Sequence, residues 1–544
     1  MKRRSFIAAL GASGALAALG SGATVAASGD GDVLDRGVKN VIVLVGDGMG
    51  FDPIEATRFV HGDLTMQSMT SVGKVRTEPR EGQVTDSGAA GTALATGLRA
   101  HDGQISVFGP LEGEMDEVTP LVTQLHAAAA VGKKTGLVTT TTMTHATPGS
   151  WGANVPDRGM QEVIADHYLE YEIDVLLGAG VDIWSDDQLD RAEELGYELL
   201  YDAADLEAAG DGKLLGLFDE GQMTYTLDRD DSFPWLDETT AAALDRLEND
   251  EGFFLMVEGG RIDHANHQCD PWTSIAETKE FDDAVEVALE YAEGRDDTLV
   301  VVTSDHECGG FTCGNDYGNV LDLESLDGGT EGSLESLAIR LQEEDDPDIE
   351  AAIEEYVDFD GDLDDGALEE IREAYDDGEA DWGLDSVIGR AVSPHVGIGW
   401  GGKIPDDLIT SHSGPSQLAV AYGPGVEEAT GSWFHLADLS ATVSAIMLFG
   451  GIVELGETDR ERWERRVCDE GTRGVDDAVV ALEYLGPVDD EVSQALDLNG
   501  DGVVDLGDAL EIAGVENVEE FRGRGVQRDG HGRIDPTPFL TAHR

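Results

Sequence analysis

Lys39-Asn40-Val41-Ile42-Val43-Leu44-Val45-Gly46-Asp47-Gly48-Met49-Gly50 decides how this chain folds. The apolar run lacks the polar alternation of a half-exposed strand, so it predicts a strand buried on both faces that opens onto a glycine turn. Comparable runs recur at Thr135 to Thr140, Ile173 to Leu177, Phe253 to Val257, Thr298 to Thr303 and Leu418 to Tyr422. Helical patterns such as Thr278 to Ala292 lie between them. Strands alternating with helices predict an α/β fold, a central mostly parallel sheet sandwiched by helices. In such sheets ligands bind beyond the carboxyl ends of the strands, so the residues that follow each run carry the functional reading.

Those residues are acids and histidines. Asp47 follows the first strand; Glu258, Asp263, His264 and His267 follow Phe253 to Val257; Asp305-His306 follows the Thr298 run; and His412 precedes the Leu418 strand. Any one of them alone reads as a cap or an exposed polar residue, but their recurrence at one sheet edge does not. Mixed histidine and aspartate suits zinc, and carboxylate with hydroxyl oxygen suits magnesium. Thr85-Asp86-Ser87-Gly88-Ala89-Ala90-Gly91-Thr92-Ala93-Leu94-Ala95-Thr96-Gly97 predicts a helix beginning at Ser87, where backbone N–H groups and the dipole favour a phosphate. A serine in that place also commonly serves only as an N-cap.

The chain has 544 residues, 112 Asp and Glu against 34 Lys and Arg, and a formal charge of -78. That excess disfavours nucleic acid and anionic membranes as partners. It is spread along a chain that is 41% hydrophobic, so a core can still form. Dispersed acid with few lysines resembles proteins of halophilic archaea and predicts salt-dependent folding. Residues 1–29, with Lys2-Arg3-Arg4-Ser5-Phe6-Ile7 ahead of an Ala/Gly-rich apolar run, read as an export signal resembling the twin-arginine type. No other stretch is apolar enough to span a bilayer, so the expected location is secreted, extracellular or at the cell surface, with no transmembrane anchor once the signal is removed. Four cysteines are too few for a disulfide scaffold, although Cys308 and Cys313 are close enough in sequence to bridge.

Taken in order, Asp47-Gly48-Met49-Gly50, Asp86-Ser87-Gly88-Ala89-Ala90, His145-Ala146-Thr147-Pro148, Glu258 through His267, Asp305-His306 and His412-Ser413-Gly414 resemble the motifs of the alkaline phosphatases. The resemblance covers about Val38 to Gly450, within a domain expected at 30–455. It implies three metal sites and a homodimer. Asp263, His267 and His412 match the ligands of a first zinc, and Asp47, Asp305 and His306 those of a second, with Ser87 alongside. Thr147 and Glu258, with Asp47, match a magnesium site. His145 stands where the best-studied bacterial pattern has an aspartate beside that magnesium, and His264 where it has a lysine near the phosphate. Arg158 fits the phosphate-clamping arginine by its distance after Thr147; the alternative is a surface arginine paired to Asp157.

The activity implied is hydrolysis of phosphate monoesters through a phosphoserine at Ser87, at alkaline pH and high salt. A dianionic monoester repels nucleophiles, so cations suit this chemistry. A phosphodiesterase or sulfatase would share the same edge, but Asp86-Ser87-Gly88 is not a sulfatase modification motif. A calcium-dependent surface-binding protein with a decayed enzyme domain would lack the full ligand set. The acidic stretch 316–394 has few strand signals, and the resemblance implies an insertion forming surface or interface elements; within it Asp358-x-Asp360-x-Asp362 starts like a calcium loop, but Leu363 stands where the loop glycine belongs, so a solvated acidic face is the better reading. Residues 456–544 form a small helical region in which Asp497, Asn499, Asp501, Asp505 and Asp508 occupy calcium-loop positions, with Gly502 at the sixth. This loop, a poorer repeat at 527–538 and the helix expected after it resemble a dockerin, implying a Ca2+-stabilised appendage and a cohesin-like partner.

Overall fold

The chain is described by a computed structural model that covers residues 38–449 except 315–320, 345, 379–382, 402–409 and 427–432, and 481–513 except 489–490. Val467, Ala478, Val515 and Val518 are also described. The export signal, Cys468 and the second loop at 527–538 lie outside the described residues.

A ten-stranded sheet forms the centre. Its strands in chain order are β1 (Asn40–Gly46), β2 (Thr70–Arg76), β3 (Lys134–Thr142), β4 (Val175–Ala179), β5 (Tyr197–Leu200), β6 (Lys213–Leu217), β7 (Phe253–Gly259), β8 (Thr298–Ser304), β9 (Gln417–Tyr422) and β10 (Trp433–His435). Across the sheet they run β10-β2-β9-β8-β1-β7-β3-β4-β6-β5. β9 is antiparallel to both neighbours, β8 and β2, and the remaining pairings are parallel. All five further strand expectations correspond to β3, β4, β7, β8 and β9.

β1 occupies the middle, with Val41 opposite Leu299 of β8 and Phe254 of β7. Its side chains divide by the two-residue period of a strand. Val41, Val43 and Val45 enter one apolar core, while Ile42 and Leu44 enter the other. That two-sided burial is why the segment carries no polar alternation. The first core also takes in helices α1 (Ser87–Thr96), α2 (Gln124–Ala130) and α3 (Ala146–Gly152). Short α4 (Arg261–His267) follows β7 and leads into α5 (Pro271–Ala292), which packs on the opposite face through Phe281, Ala284, Val285 and Ala288. α6 (Leu436–Phe449) is wholly buried and closes the first core.

The acidic insertion is a packed helical layer: helices Leu334–Glu343, Ile349–Tyr356, Asp365–Asp377 and Asp385–Val392 enclose a third core containing Leu337, Leu341, Ile353, Ile371 and Ile388. Apart from buried Asp385, the acids of these helices sit on the outer faces, which conceals a period of 3.6 behind the composition. The described part of the C-terminal region packs on the same domain. α7 (Leu506–Ile512) places Leu506, Ala509 and Leu510 in the first core, and Asp505 Oδ2 accepts the buried Val122 N–H at 3.0 Å.

Candidate active site

The buried helix α1 begins at Ser87, but Asp86 takes the cap, its Oδ1 accepting Ala89 N–H at 2.9 Å. Ser87 is thereby released from capping. Its Oγ lies 3.3 Å from His306 Nε2 in a position only 2% exposed. The small residues after it allow close approach to α3: a Cβ on Gly91 would stand 2.6 Å from Ser150 Oγ. Glycine serves a different purpose at Gly48, where φ is +66° and a Cβ would lie 2.7 Å from the Asp263 Cα. The β1 turn can therefore sit directly on α4.

Three groups of ligand atoms, each within 4.8 Å of one another, meet at this sheet edge. The first contains Asp263, His267 and His412 together with Cys308. His267 and His412 bring their Nε2 atoms to 3.1 Å, and Asp263 oxygens lie 3.3 and 3.6 Å from them. Each ring is oriented from behind, His267 Nδ1 against Thr410 O at 2.6 Å and His412 Nδ1 against Thr85 O at 2.8 Å. With Nδ1 donating to those carbonyls, both Nε2 lone pairs face inward.

The second group joins Asp47, Asp263 and His306. Asp305 completes it: its Oδ1 accepts Gly48 N–H at 3.1 Å and His306 N–H at 2.8 Å, leaving Oδ2 3.2 Å from His306 Nε2. The third group is Asp47, His145 and Glu258, with Thr147 Oγ1 donating to Asp47 Oδ2 at 3.3 Å. Thr141 donates to Glu258 Oε2 at 3.0 Å, and Thr139 donates to the same oxygen.

Asp47 Oδ1, Glu258 Oε1, Asp263 Oδ1 and Asp305 Oδ2 are buried without hydrogen-bond partners. Burial, then Asp305, Asp263 and Glu258, drives the Asp47 carboxyl well above its ordinary range, and burial pushes Asp305 up to about 8. Burial opposes ionisation of Asp263 too, but His267, His412 and His306 outweigh it and hold this carboxyl well below the ordinary range. Buried charge must be paired or metal-bound, so oxygen and nitrogen donors converging with unpartnered lone pairs fit zinc, and the carboxylate and hydroxyl set fits magnesium.

Arg158 pairs with Asp86 at 3.0 Å rather than with Asp157, and its other amino group lies 3.0 Å from His145 Nε2. The site is thus joined to the helix cap that releases Ser87 from capping. His264 stands beside His145, ring centroids 5.7 Å apart, and its Nδ1 lies 2.8 Å from Arg261 Nη1. Arg261 is itself held by Tyr225, 3.5 Å above the ring, and by Glu335 of the insertion.

All sheet-edge residues expected from sequence converge here. Reasoning from sequence missed Thr139 and Thr141, which read only as strand residues, and Cys308, considered only for a bridge to Cys313. Both cysteines are free. The C-terminal acids are remote from this cluster in sequence and engage backbone amides: Asp497 accepts Gly500 and Gly502, Asp501 accepts Val503, Asp505 accepts Gly507, and Asp508 accepts Leu498 and Asp505. Asn499 donates to Asp501.

Comparison with known proteins gives one consistent answer. The alkaline phosphatase family model matches residues 38–332. Alkaline phosphatase 4 of Bacillus subtilis is 33% identical over 416 residues, covering 72% of this chain and 86% of that protein. The alkaline phosphatase of Escherichia coli is 33% identical over 340 residues, 50% of this chain and 70% of its own. Among solved structures, the cold-active alkaline phosphatase of a psychrophilic Shewanella superposes with a TM-score of 0.66 at 29% identity, covering 75% of this chain and 99% of its own. That of Thermus thermophilus gives 0.66 at 26% identity over 79% of this chain and 95% of its own. With the metal-capable groups gathered around Asp47 and Asp263, these similarities lead to one conclusion: the chain belongs to the alkaline phosphatase family of metal-dependent phosphomonoesterases.

Proposed function

We propose that this phosphatase works through a phosphoserine on Ser87, at alkaline pH and in concentrated salt. The observation that carries this reading is Ser87 Oγ, 3.3 Å from His306 Nε2 at the edge where four unpartnered carboxylate oxygens meet. Asp263, His267 and His412 would hold one zinc, Asp47, Asp305 and His306 a second, and Asp47, Thr147 and Glu258, with His145 beside them, a magnesium. Bound there, the cations supply the positive charge that neutralises a transferring phosphoryl group and favours ionised oxygen nucleophiles.

Ser87 Oγ gives up its proton and forms a bond to phosphorus as the ester P–O bond breaks, and the leaving alkoxide takes a proton. Water then attacks the phosphoserine, restoring the Ser87 hydroxyl and releasing inorganic phosphate. Arg158 presents two N–H groups to the phosphoryl oxygens, held in place by Asp86. Arg261 donating to His264 Nδ1 leaves the neutral ring's proton on Nε2, where it serves as a further donor to phosphate.

Several finer features belong to the same proposal. The unbalanced charge of -78 supports a halophilic protein, and the sequence of residues 1–29 supports export by a twin-arginine-like route to the outside or surface of the cell. Among the described residues no helix is long and apolar enough to cross a membrane. The family supports a homodimer. The spacing of Asp497, Asn499, Asp501, Asp505 and Asp508 supports Ca2+ binding, with a cohesin-like partner for the dockerin-like region as its corollary.

The test is hydrolysis of a chromogenic phosphate monoester beside a diester and a sulfate ester, at alkaline pH and molar salt. Monoester turnover that EDTA abolishes, zinc with magnesium restores and Ser87→Ala eliminates is the expected result. Preference for the diester would move the substrate class, and turnover retained in Ser87→Ala would remove the phosphoserine.

A further inference from the structure

Cys308 follows Asp305-His306 by two residues and is completely buried. It belongs to a two-residue ribbon in which Glu307 pairs with Ser413 and Cys308 pairs with His412. Directly opposed residues of an antiparallel pair share one face, with Cβ atoms about 4.5–5.5 Å apart. The ribbon therefore aims the thiol and the His412 ring into the same space. It is held at one pair by Ser413, which donates to Glu307, and at the other by Cys308 N–H, which donates to Gly48 O at 3.2 Å. Cys308 Sγ comes within 4.8 Å of the ligand atoms of Asp263, His267 and His412. Asp263 Oδ1, buried in the same space, has no hydrogen-bond partner. A sulfur thus stands with the three oxygen and nitrogen donors already assigned to the first metal position.

We propose that Cys308 Sγ is a fourth protein donor to that position, so that its ligand set is one carboxylate, two imidazoles and one thiolate. The inference rests on the reading of Asp263, His267 and His412 as metal ligands. Ligation requires the thiol to lose its proton to solvent as the cation enters, so binding releases a proton from Cys308. A thiolate also biases the position toward softer cations such as zinc, cobalt or cadmium and against magnesium or manganese.

The test strips the full-length protein of metal and titrates it with cobalt(II) in molar salt, comparing wild type with Cys308→Ser and Cys308→Ala. Cobalt bound through sulfur shows an intense near-ultraviolet charge-transfer band, whereas the weaker visible bands need only oxygen and nitrogen ligands. Wild type is expected to show both, and both variants to keep the visible bands while losing the near-ultraviolet band. Cys269, Cys313 and Cys468 remain in the variants, so a band arising from another thiol would persist and overturn the proposal. Circular dichroism confirms that the variants are folded, and cadmium-113 resonance shifts of the wild type give a second readout that needs no variant: a shift in the range of oxygen and nitrogen coordination overturns the proposal. Visible bands without the near-ultraviolet band in wild type reject Cys308 alone. No cobalt uptake at all rejects the metal position together with it.

Discussion

Asp86 has two tasks in this structure, and substitution can separate them. Its Oδ1 caps α1 through Ala89 N–H at 2.9 Å, and its Oδ2 accepts from Arg158 at 3.0 Å. Losing an N-cap costs about 1 kcal/mol. A hydrogen bond to a charged group contributes about 1.5–3 kcal/mol, and because the Arg158 and Asp86 side chains are 31% and 21% exposed, solvent screening reduces this to about 1 kcal/mol. Asp86→Ala removes both and should cost about 2 kcal/mol, whereas asparagine caps as well as aspartate, so Asp86→Asn should cost only about 1 kcal/mol. In a domain of about 400 residues, with an unfolding entropy of about 2.1 cal/mol/K per residue, each kcal/mol lowers the melting temperature by about 1 °C. Both variants free Arg158 from its charged partner, and about 1 kcal/mol of lost positioning raises KM roughly fivefold. Thermal melts of the metal-loaded proteins in molar salt, with KM for a chromogenic monoester, measure both effects. If Asp86→Asn melts as early as Asp86→Ala, the cap is not what distinguishes them. If KM is unchanged in both, Asp86 does not orient the arginine for phosphate.

Gly48→Ala places a Cβ 2.7 Å from the Asp263 backbone at a φ of +66°, so it should displace Asp263 and weaken zinc retention at least tenfold, roughly the scale seen when support around a metal ligand is lost; competition with a chromogenic chelator reads this directly. Burial raises Asp47 and pushes Asp305 up to about 8, whereas an unfolded aspartate titrates near 3.9. Between those values these two carboxyls hold more protons in the metal-free folded state than in the unfolded state, so their contribution to stability is lost as pH rises toward about 8, whereas His126, His167, His264 and His306, all lowered by burial, act in the opposite sense. Asp305→Asn in EDTA-stripped protein should accordingly make the change in melting temperature from pH 6 to pH 8 more positive than in wild type, and an unchanged difference would refute this. At a formal charge of -78, self-repulsion should weaken as the screening length contracts from about 30 Å in 0.01 M salt to about 3 Å in 1 M. The melting temperature should rise by many degrees over that range, and a flat profile would reject salt-dependent folding.

By itself the sequence determined the sheet, because strand burial is written in local pattern: Val41 to Val45 must be covered on two faces, and few arrangements other than a parallel α/β sheet do that. It also determined that Asp47, Glu258, Asp263, Asp305 and His306 lie at one edge, since each stands at or just beyond the end of a strand that finishes there. The amphipathic core of the insertion was hidden by acids that dominate composition without occupying the inner helix faces, as at Leu337 and Leu341. Competition for the helix cap was decided only in three dimensions, because Asp86 and Ser87 are both good caps and the backbone conformation places the aspartate there. The pairing of Arg158 with Asp86, the close contact of α7 with Val122 and the placing of Cys308 opposite His412 likewise depend on register and packing between segments far apart in the chain. Local periodicity specifies which face of an element is buried, but tertiary contacts choose which atoms meet across that face.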